Sequence, residues 1–474
     1  GAVEEKAAAF MNELNSELWA MGISAKTQHN EVAPNQFEIA CIYSQANMAA
    51  DANQLVMETI CKIAEHHGLA ALLHEKPFEG LNGSGKHVNW SIGTDKGIDL
   101  LDPAVVADTS SEEDARFRFM RFVLFSLSVI EAVDRRAGLL RATTATAGND
   151  RRLGGHEAPP VILSIYLGKP LYDLFDSLQS QNNTQKIANA LLELGIRSLP
   201  KLSRDFSDRN RTSPFAFTGN KFEFRMVGSS QSAATPLTML NAAVAEALNH
   251  ISREIEKELT KGMPLLDAAR FVAQKSWQEH RRVVFNGNGY SIDWIHEAEQ
   301  RGLPIIRSAV DAIQELTKPD NAKMLTDLCV LLPEETEARQ HIYLERYSKQ
   351  IKIEAAMMID LVRRFIIPAA SEAARRYSVS CTDIASIGAH FDVQETYAKR
   401  IAQLTAKSAE GLDSLEKALD DAIHTENNLE RAKLFQDSVA PHMDELRETC
   451  DELECIVPQD LWPIPTYGDL LFTL

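Results

Sequence analysis

The sequence predicts an α+β region built around a mainly antiparallel sheet with flanking helices, followed by an all-helical C-terminal region. Up to about residue 235, helical stretches alternate with short runs rich in β-branched and aromatic residues, separated by Gly- or Pro-containing turns. Beyond 235 those runs nearly vanish, and apolar residues recur at helical spacing over long distances. The 474 residues allow two to four domains, and the change of character divides them into 1–235 and 236–474.

Helical spacing marks residues 3–21, 45–67, 111–137 and 184–197. The runs QFEIACIY, HVNWSIG, VILSIYL and KFEFRM read as strands. Residues 235–259 form one long helix, and so do 334–367, which must stop or kink at Pro368. Residues 391–456 read as a helical hairpin with Glu and Asp between its apolar positions. The last stretch, VPQDLWPIPTYGDLLF, is rich in Pro and aromatic residues and is expected to pack as an ordered tail.

Composition narrows the function classes. Apolar residues make up 45% and charged residues 24%, which fits a globular chain and excludes collagen-like or wholly disordered ones. Lys plus Arg number 49 against 67 Asp plus Glu, a net charge of −18. That acidity argues against a nucleic-acid or anionic-membrane partner. Half of it falls in residues 407–455, where 14 acidic residues face 5 basic ones, as on a solvated helix face. No apolar run is long enough to span a bilayer. The six cysteines form neither a C-x-x-C pair nor a zinc spacing, and are expected to be reduced, mostly buried thiols of a cytoplasmic protein.

Four clusters carry chemistry. In HNEVAPNQFE (29–38), the Pro34-Asn35 turn lies midway between Glu31 and Glu38. A strand–turn–strand would bring the two carboxylates together, either as surface groups on a hairpin or as oxygen ligands for Mg²⁺ or Mn²⁺. In HEKPFEGLNGSGKHVNWS (74–91), Gly80 to Lys86 imitates a phosphate-binding loop. His87 follows where a hydroxyl is required, however, and the continuation is a strand instead of a helix. That strand puts His87, Asn89 and Ser91 on one face. AGNDRRLGGHEAPP (147–160) reads as a polar loop too charged to be buried, in which Arg152 could clamp an anion and Glu157 could act on a proton. In the stretch 208–230, Lys221, Glu223 and Arg225 alternate with Phe222 and Phe224, so that the charged set faces one way and the rings the other. This is either a surface charge ladder or a site where Arg225 grips an anion and Glu223 a metal. Carboxylates, a histidine and cations gathered on a sheet are the inventory of phosphoryl transfer.

The order of HNEVAPNQFE, NGSGKHVNWS, NDRRLGGHEAP, NRTSPFAFTGNKFEFRMVGSS and WPIPTYGDLLF resembles glutamine synthetase in its large type III form, over nearly the whole chain. The resemblance implies a glutamine synthetase-type catalytic domain. It also implies an ATP-dependent ligation of ammonia to glutamate through γ-glutamyl phosphate. By the same resemblance, Glu31 and Glu38 would bind the metal at the glutamate and ammonia end, and His87 and Glu223 the metal at the ATP phosphates. Asn82 and Gly83 would border the substrate glutamate. Arg152 and Arg225 would hold its carboxylate or the transferred phosphoryl group. Arg211 would bind phosphate, with Lys221, Asn89 and Ser91 among the ATP contacts. Glu157 would close the site and take a proton from ammonium. A ring-forming homo-oligomer, a dodecamer, is the implied assembly.

The pattern departs from the shorter family types at three places. There is no second Arg after Asn210-Arg211, Lys221 stands where they have Arg, and Lys86 stands where they have an apolar residue. The family's strand with two further metal-ligating carboxylates and its small β-grasp domain have no counterpart before His29. The chain is therefore expected to match the C-terminal two thirds of a type III enzyme, and by itself to bind metal weakly and turn over poorly. Two other readings stay open: a ligase joining glutamate to a different amine, and a non-catalytic scaffold in nitrogen metabolism.

Overall fold

A computed structural model describes residues 4–106, 111–155, 158–178 and 212–472. The helix expected at 184–197 lies outside them. The chain divides into two compact units, one comprising Val3–Gln28 and Ile39–Glu337, the other His29–Glu38 and Ala338–Leu474.

The first unit opens with α1 (Glu5–Ala20) packed on α2 (Ala46–His66). Between them come β1 (Ala25–Asn30) and β2 (Phe37–Cys41), which pair as a two-stranded sheet. Its main sheet has the order β3 (Gly85–Trp90), β6 (Phe222–Gly228), β5 (Phe215–Phe217), β4 (Ile165–Tyr166). β6 runs antiparallel to both β3 and β5, while β4 pairs parallel to β5, so the sheet is mixed and mostly antiparallel. Of the strand expected at VILSIYL only Ile165 and Tyr166 join the sheet; the remainder is irregular. Phe215, Phe222 and Phe224 pack ring against ring, with centroids 5.4 and 5.7 Å apart. Phe217 reaches Phe122 of α3 (Glu112–Ala142), and α3 buries Val123, Leu127, Ile130 and Val133 completely. Around α3 lie α6 (Ala234–Thr260) and α7 (Leu265–His280). These three helices supply the core on which the sheet rests. Shorter helices complete the unit: α4 (Ala147–Arg152), α5 (Lys169–Ser177), α8 (Ile292–Gln300), α9 (Ala309–Ile313) and α10 (Pro319–Asp327).

The second unit is helical apart from the hairpin tip His29–Glu38. α11 (Pro333–Leu361) does not stop before Pro368. It passes through a π-helical turn at Val362–Ile366 and continues as α12 (Ile367–Ser386). The π-turn frees the backbone where proline cannot donate. α13 (Asp392–Ile423), α14 (Asn428–Leu434) and α15 (Ala440–Glu454) form the helical hairpin, packed through Leu404, Leu415, Phe435, Leu446 and Leu453. The tail is ordered: Tyr467 at the start of α16 (Tyr467–Phe472) donates through its hydroxyl to Asp451 (3.1 Å). Asn35 at the hairpin tip donates to the carbonyl of Leu471 (2.9 Å).

Two expectations need correcting. Only Cys450 is buried; Cys41, Cys61, Cys329 and Cys455 are exposed, Cys381 is half-buried, and all six are free thiols. The stretch beginning at Ala147 is not an exposed loop either. Its first six residues form α4, and Ala147, Gly148, Asn149 and Arg152 are buried. Among the described residues no helix is long and apolar enough to cross a membrane.

Candidate active site

The strand–turn–strand at 29–38 does bring Glu31 and Glu38 together. His29, which the sequence reading passed over, sits between them: its Nε2 lies 2.9 Å from Glu31 Oε1 and 3.0 Å from Glu38 Oε2. Alternation along β1 could have revealed it, since residues two apart on a strand share a face. One ligand atom from each of the three falls within 4.8 Å of the others, and all three residues are exposed. One imidazole nitrogen and two carboxylates make a donor set suited to a divalent ion that accepts both oxygen and nitrogen.

The second cluster is made by the pairing of β3 with β6. Lys86 pairs with Val227 and Val88 with Phe224, so two residues of β6, Arg225 and Met226, face the single His87. Such a bulge re-aims side chains, and here His87 Nδ1 comes to 3.9 Å from Glu223 Oε2. Glu223 and Arg225 are 4% and 3% exposed. They are therefore no surface ladder; β6 is covered on both faces. Arg225 donates to Glu223 Oε2 from Nε (3.1 Å) and Nη2 (3.0 Å), and its Nη1 lies 3.4 Å from the Ser213 carbonyl. Burying the carboxylate is tolerable because that guanidinium is its partner. His87, Asn89 and Ser91 are exposed along one face of β3 and its continuation, as alternation requires. Ser91 Oγ donates to Asp99 Oδ1 (2.7 Å), and Lys221, half-buried, donates to Asn220 Oδ1 (3.4 Å).

Arg152 lies behind this strand. Its guanidinium donates to the carbonyls of Arg225 (3.1 Å), Met226 (3.3 Å) and Val227 (3.4 Å) and to Asn149 Oδ1 (3.1 Å). Burial pulls its pKa down to about 10, against the attraction of Glu75. Asn149 braces the same carbonyl of Met226 (2.9 Å) and that of Thr144 (2.8 Å). The Asn82–Gly83 turn is held where the Ser84 N–H donates to the Glu75 carbonyl (2.8 Å). A Cβ on Gly83 would come 2.9 Å from Arg152 Cγ, so only glycine lets the turn approach so closely. Glu157 and Arg211 lie outside the described residues.

Comparison with known proteins finds relatives over the whole chain. The family described as "Glutamine synthetase, catalytic domain" matches residues 2–113, and "Glutamine synthetase C-terminal domain" matches 268–384. The type-3 glutamine synthetase of Dictyostelium discoideum is 40% identical over all of this chain and 64% of its own length. Glutamine synthetases of Bacteroides fragilis and Butyrivibrio fibrisolvens are 36% and 38% identical, again over the whole chain, with 65% and 66% of their own lengths covered. The chain thus spans just under two thirds of the length of these curated relatives. On these sequence matches, the chain belongs to the glutamine synthetase family.

Proposed function

We propose that the protein bearing this chain joins ammonia to glutamate at the expense of ATP, by way of γ-glutamyl phosphate. The observation that carries the reading is the meeting of His87 with Glu223 across β3 and β6, with Arg225 on the same carboxylate. The donor sets His29–Glu31–Glu38 and His87–Glu223 suit Mg²⁺ or Mn²⁺. When bound, such ions supply charge neutralisation for the phosphoryl group.

The chain's own residues divide the remaining tasks. Arg225 stabilises negative charge on the transferred group from a buried, pre-oriented position. Arg152 holds β6 from behind, so that Glu223 and Arg225 do not move when charge develops. Asn82 and Gly83 border the glutamate, and Lys221, Asn89 and Ser91 line the nucleotide side. Glu157 and Arg211 take the proton-accepting and phosphate-binding parts that the resemblance implies. A cytoplasmic ring of identical copies, a dodecamer, is the proposed assembly.

The test is phosphate release from ATP that depends on both glutamate and ammonium, measured on wild type and on Glu223→Gln. The amide keeps the shape and loses the charge, so the rate should fall by about a hundredfold. A Glu223→Gln protein with the wild-type rate refutes the assignment.

A further inference from the structure

Lys86 has no task in the proposed reaction, and the structure gives it one. It lies on β3 beside the turn that follows β6, and its ammonium donates to the carbonyls of Gly228 (3.4 Å), Ser229 and Gln231 (2.6 Å). An ammonium has three N–H groups. Three carbonyls use all of them, which leaves none for a phosphate. The same turn is held from its other side by Glu75, 1% exposed, whose Oε1 accepts from the Ser230 N–H (3.0 Å) and hydroxyl (2.6 Å). Glu75 also lies near enough to act electrostatically on Lys86. Space for its carboxylate exists because positions 148 and 228 are glycines; a Cβ on either would overlap it.

We propose that Lys86 is a positioning residue: with Glu75 as its counter-charge, it latches the turn Gly228–Gln231 and thereby fixes the end of the strand that carries Glu223 and Arg225. A cation takes the carbonyls of the turn and an anion takes its amide, so each half of the latch supports the other. The three converging carbonyls ask for a tetrahedral donor, which the planar guanidinium of arginine does not supply. The importance of the latch for function rests on the metal reading of Glu223; its geometry does not.

The experiment compares wild type with Lys86→Met, Lys86→Arg, Glu75→Gln and the double variant Lys86→Met/Glu75→Gln, all at one pH. Backbone hydrogen exchange is followed in the peptide covering 224–232, and Mn²⁺ affinity by electron paramagnetic resonance. Loss of one charged hydrogen-bond set should speed exchange in that peptide about tenfold and weaken Mn²⁺ binding by about fivefold or more. Lys86→Arg should not restore either. The double variant should be no worse than the worse single one, because the two groups act on one turn. If Lys86→Met does not fold, the isosteric Glu75→Gln decides alone. Unchanged exchange in the peptide overturns the latch, and full rescue by arginine overturns the claim that its geometry matters. Failure of the metal reading is a separate outcome, in which Glu223→Gln leaves wild-type Mn²⁺ affinity intact while the exchange result still decides the latch.

Discussion

Replacing Arg152 by methionine separates two roles that an arginine near an anion site can have. The substitution keeps an apolar stem of similar length and removes the guanidinium. Four hydrogen bonds go with it, of 3.1–3.4 Å, three of them to carbonyls of β6. At roughly 1 kcal/mol net each, the loss is about 4 kcal/mol. Relief works against it, because burial already penalises the cation enough to bring its pKa to about 10. A destabilisation of about 3 kcal/mol is expected, or a melting point about 3 °C lower for a chain of this size. Scanning calorimetry on the purified protein measures it, with glutamate KM recorded alongside. Arg152→Lys should recover less than half, since a lysine there lacks the planar fork that spans the carbonyls of Arg225, Met226 and Val227. An unchanged melting temperature with a raised KM would refute the reasoning and make Arg152 a direct substrate contact.

Gly228→Ala should cost about 1–3 kcal/mol, because a Cβ there overlaps the buried Glu75 carboxylate; urea unfolding checks it, and a midpoint equal to wild type contradicts it. The pH dependence of stability should carry a mark of Asp150. Burial raises its carboxyl to about 6, against the pull of Arg141 at 3.4 Å. The folded chain thus keeps a proton that the unfolded chain releases near pH ~4. That contribution is complete below about pH 4 and is lost as pH rises through about 6. Asp150→Asn lacks the titration, so its stability relative to wild type should improve between about pH 5 and about pH 7. Melts at the two pH values that show a constant difference would count against it.

Much of this architecture was legible in the sequence, for reasons that can be named. Alternation of Phe222 and Phe224 with Glu223 and Arg225 marks β6, because one face must meet the core and the other the site. Pro34-Asn35 marks the hairpin, and Asn35 indeed takes a left-handed φ of 55°. The helical hairpin of α13 and α15 follows from apolar spacing alone. What escaped is burial of polar groups by mutual satisfaction. AGNDRR has the composition of a loop, yet Asn149 and Arg152 are buried because their donors meet backbone carbonyls. Hydropathy does not register such partners. β5, three residues long, is too short to have a period, and it exists because β6 pairs with it. His29 sits two positions from Glu31, within reach of alternation, but its second partner Glu38 lies nine positions away and only the folded hairpin joins them.

The bulge opposite His87 has a bearing on how this segment can change over evolutionary time. Side chains alternate strictly along a strand, so a shift of one residue exchanges the two faces. With Arg225 and Met226 sharing one position of β3, the strand passes from one register to the next without losing either pairing. Deleting one residue there would swing Arg225 toward the phenylalanines or force the turn at Gly228 out of place. Substitutions at Phe224, Met226 and Val227 are therefore graded in their effect, whereas insertions and deletions are all-or-none. Among homologous sequences this stretch should hold its length even where the residues beside Arg225 vary.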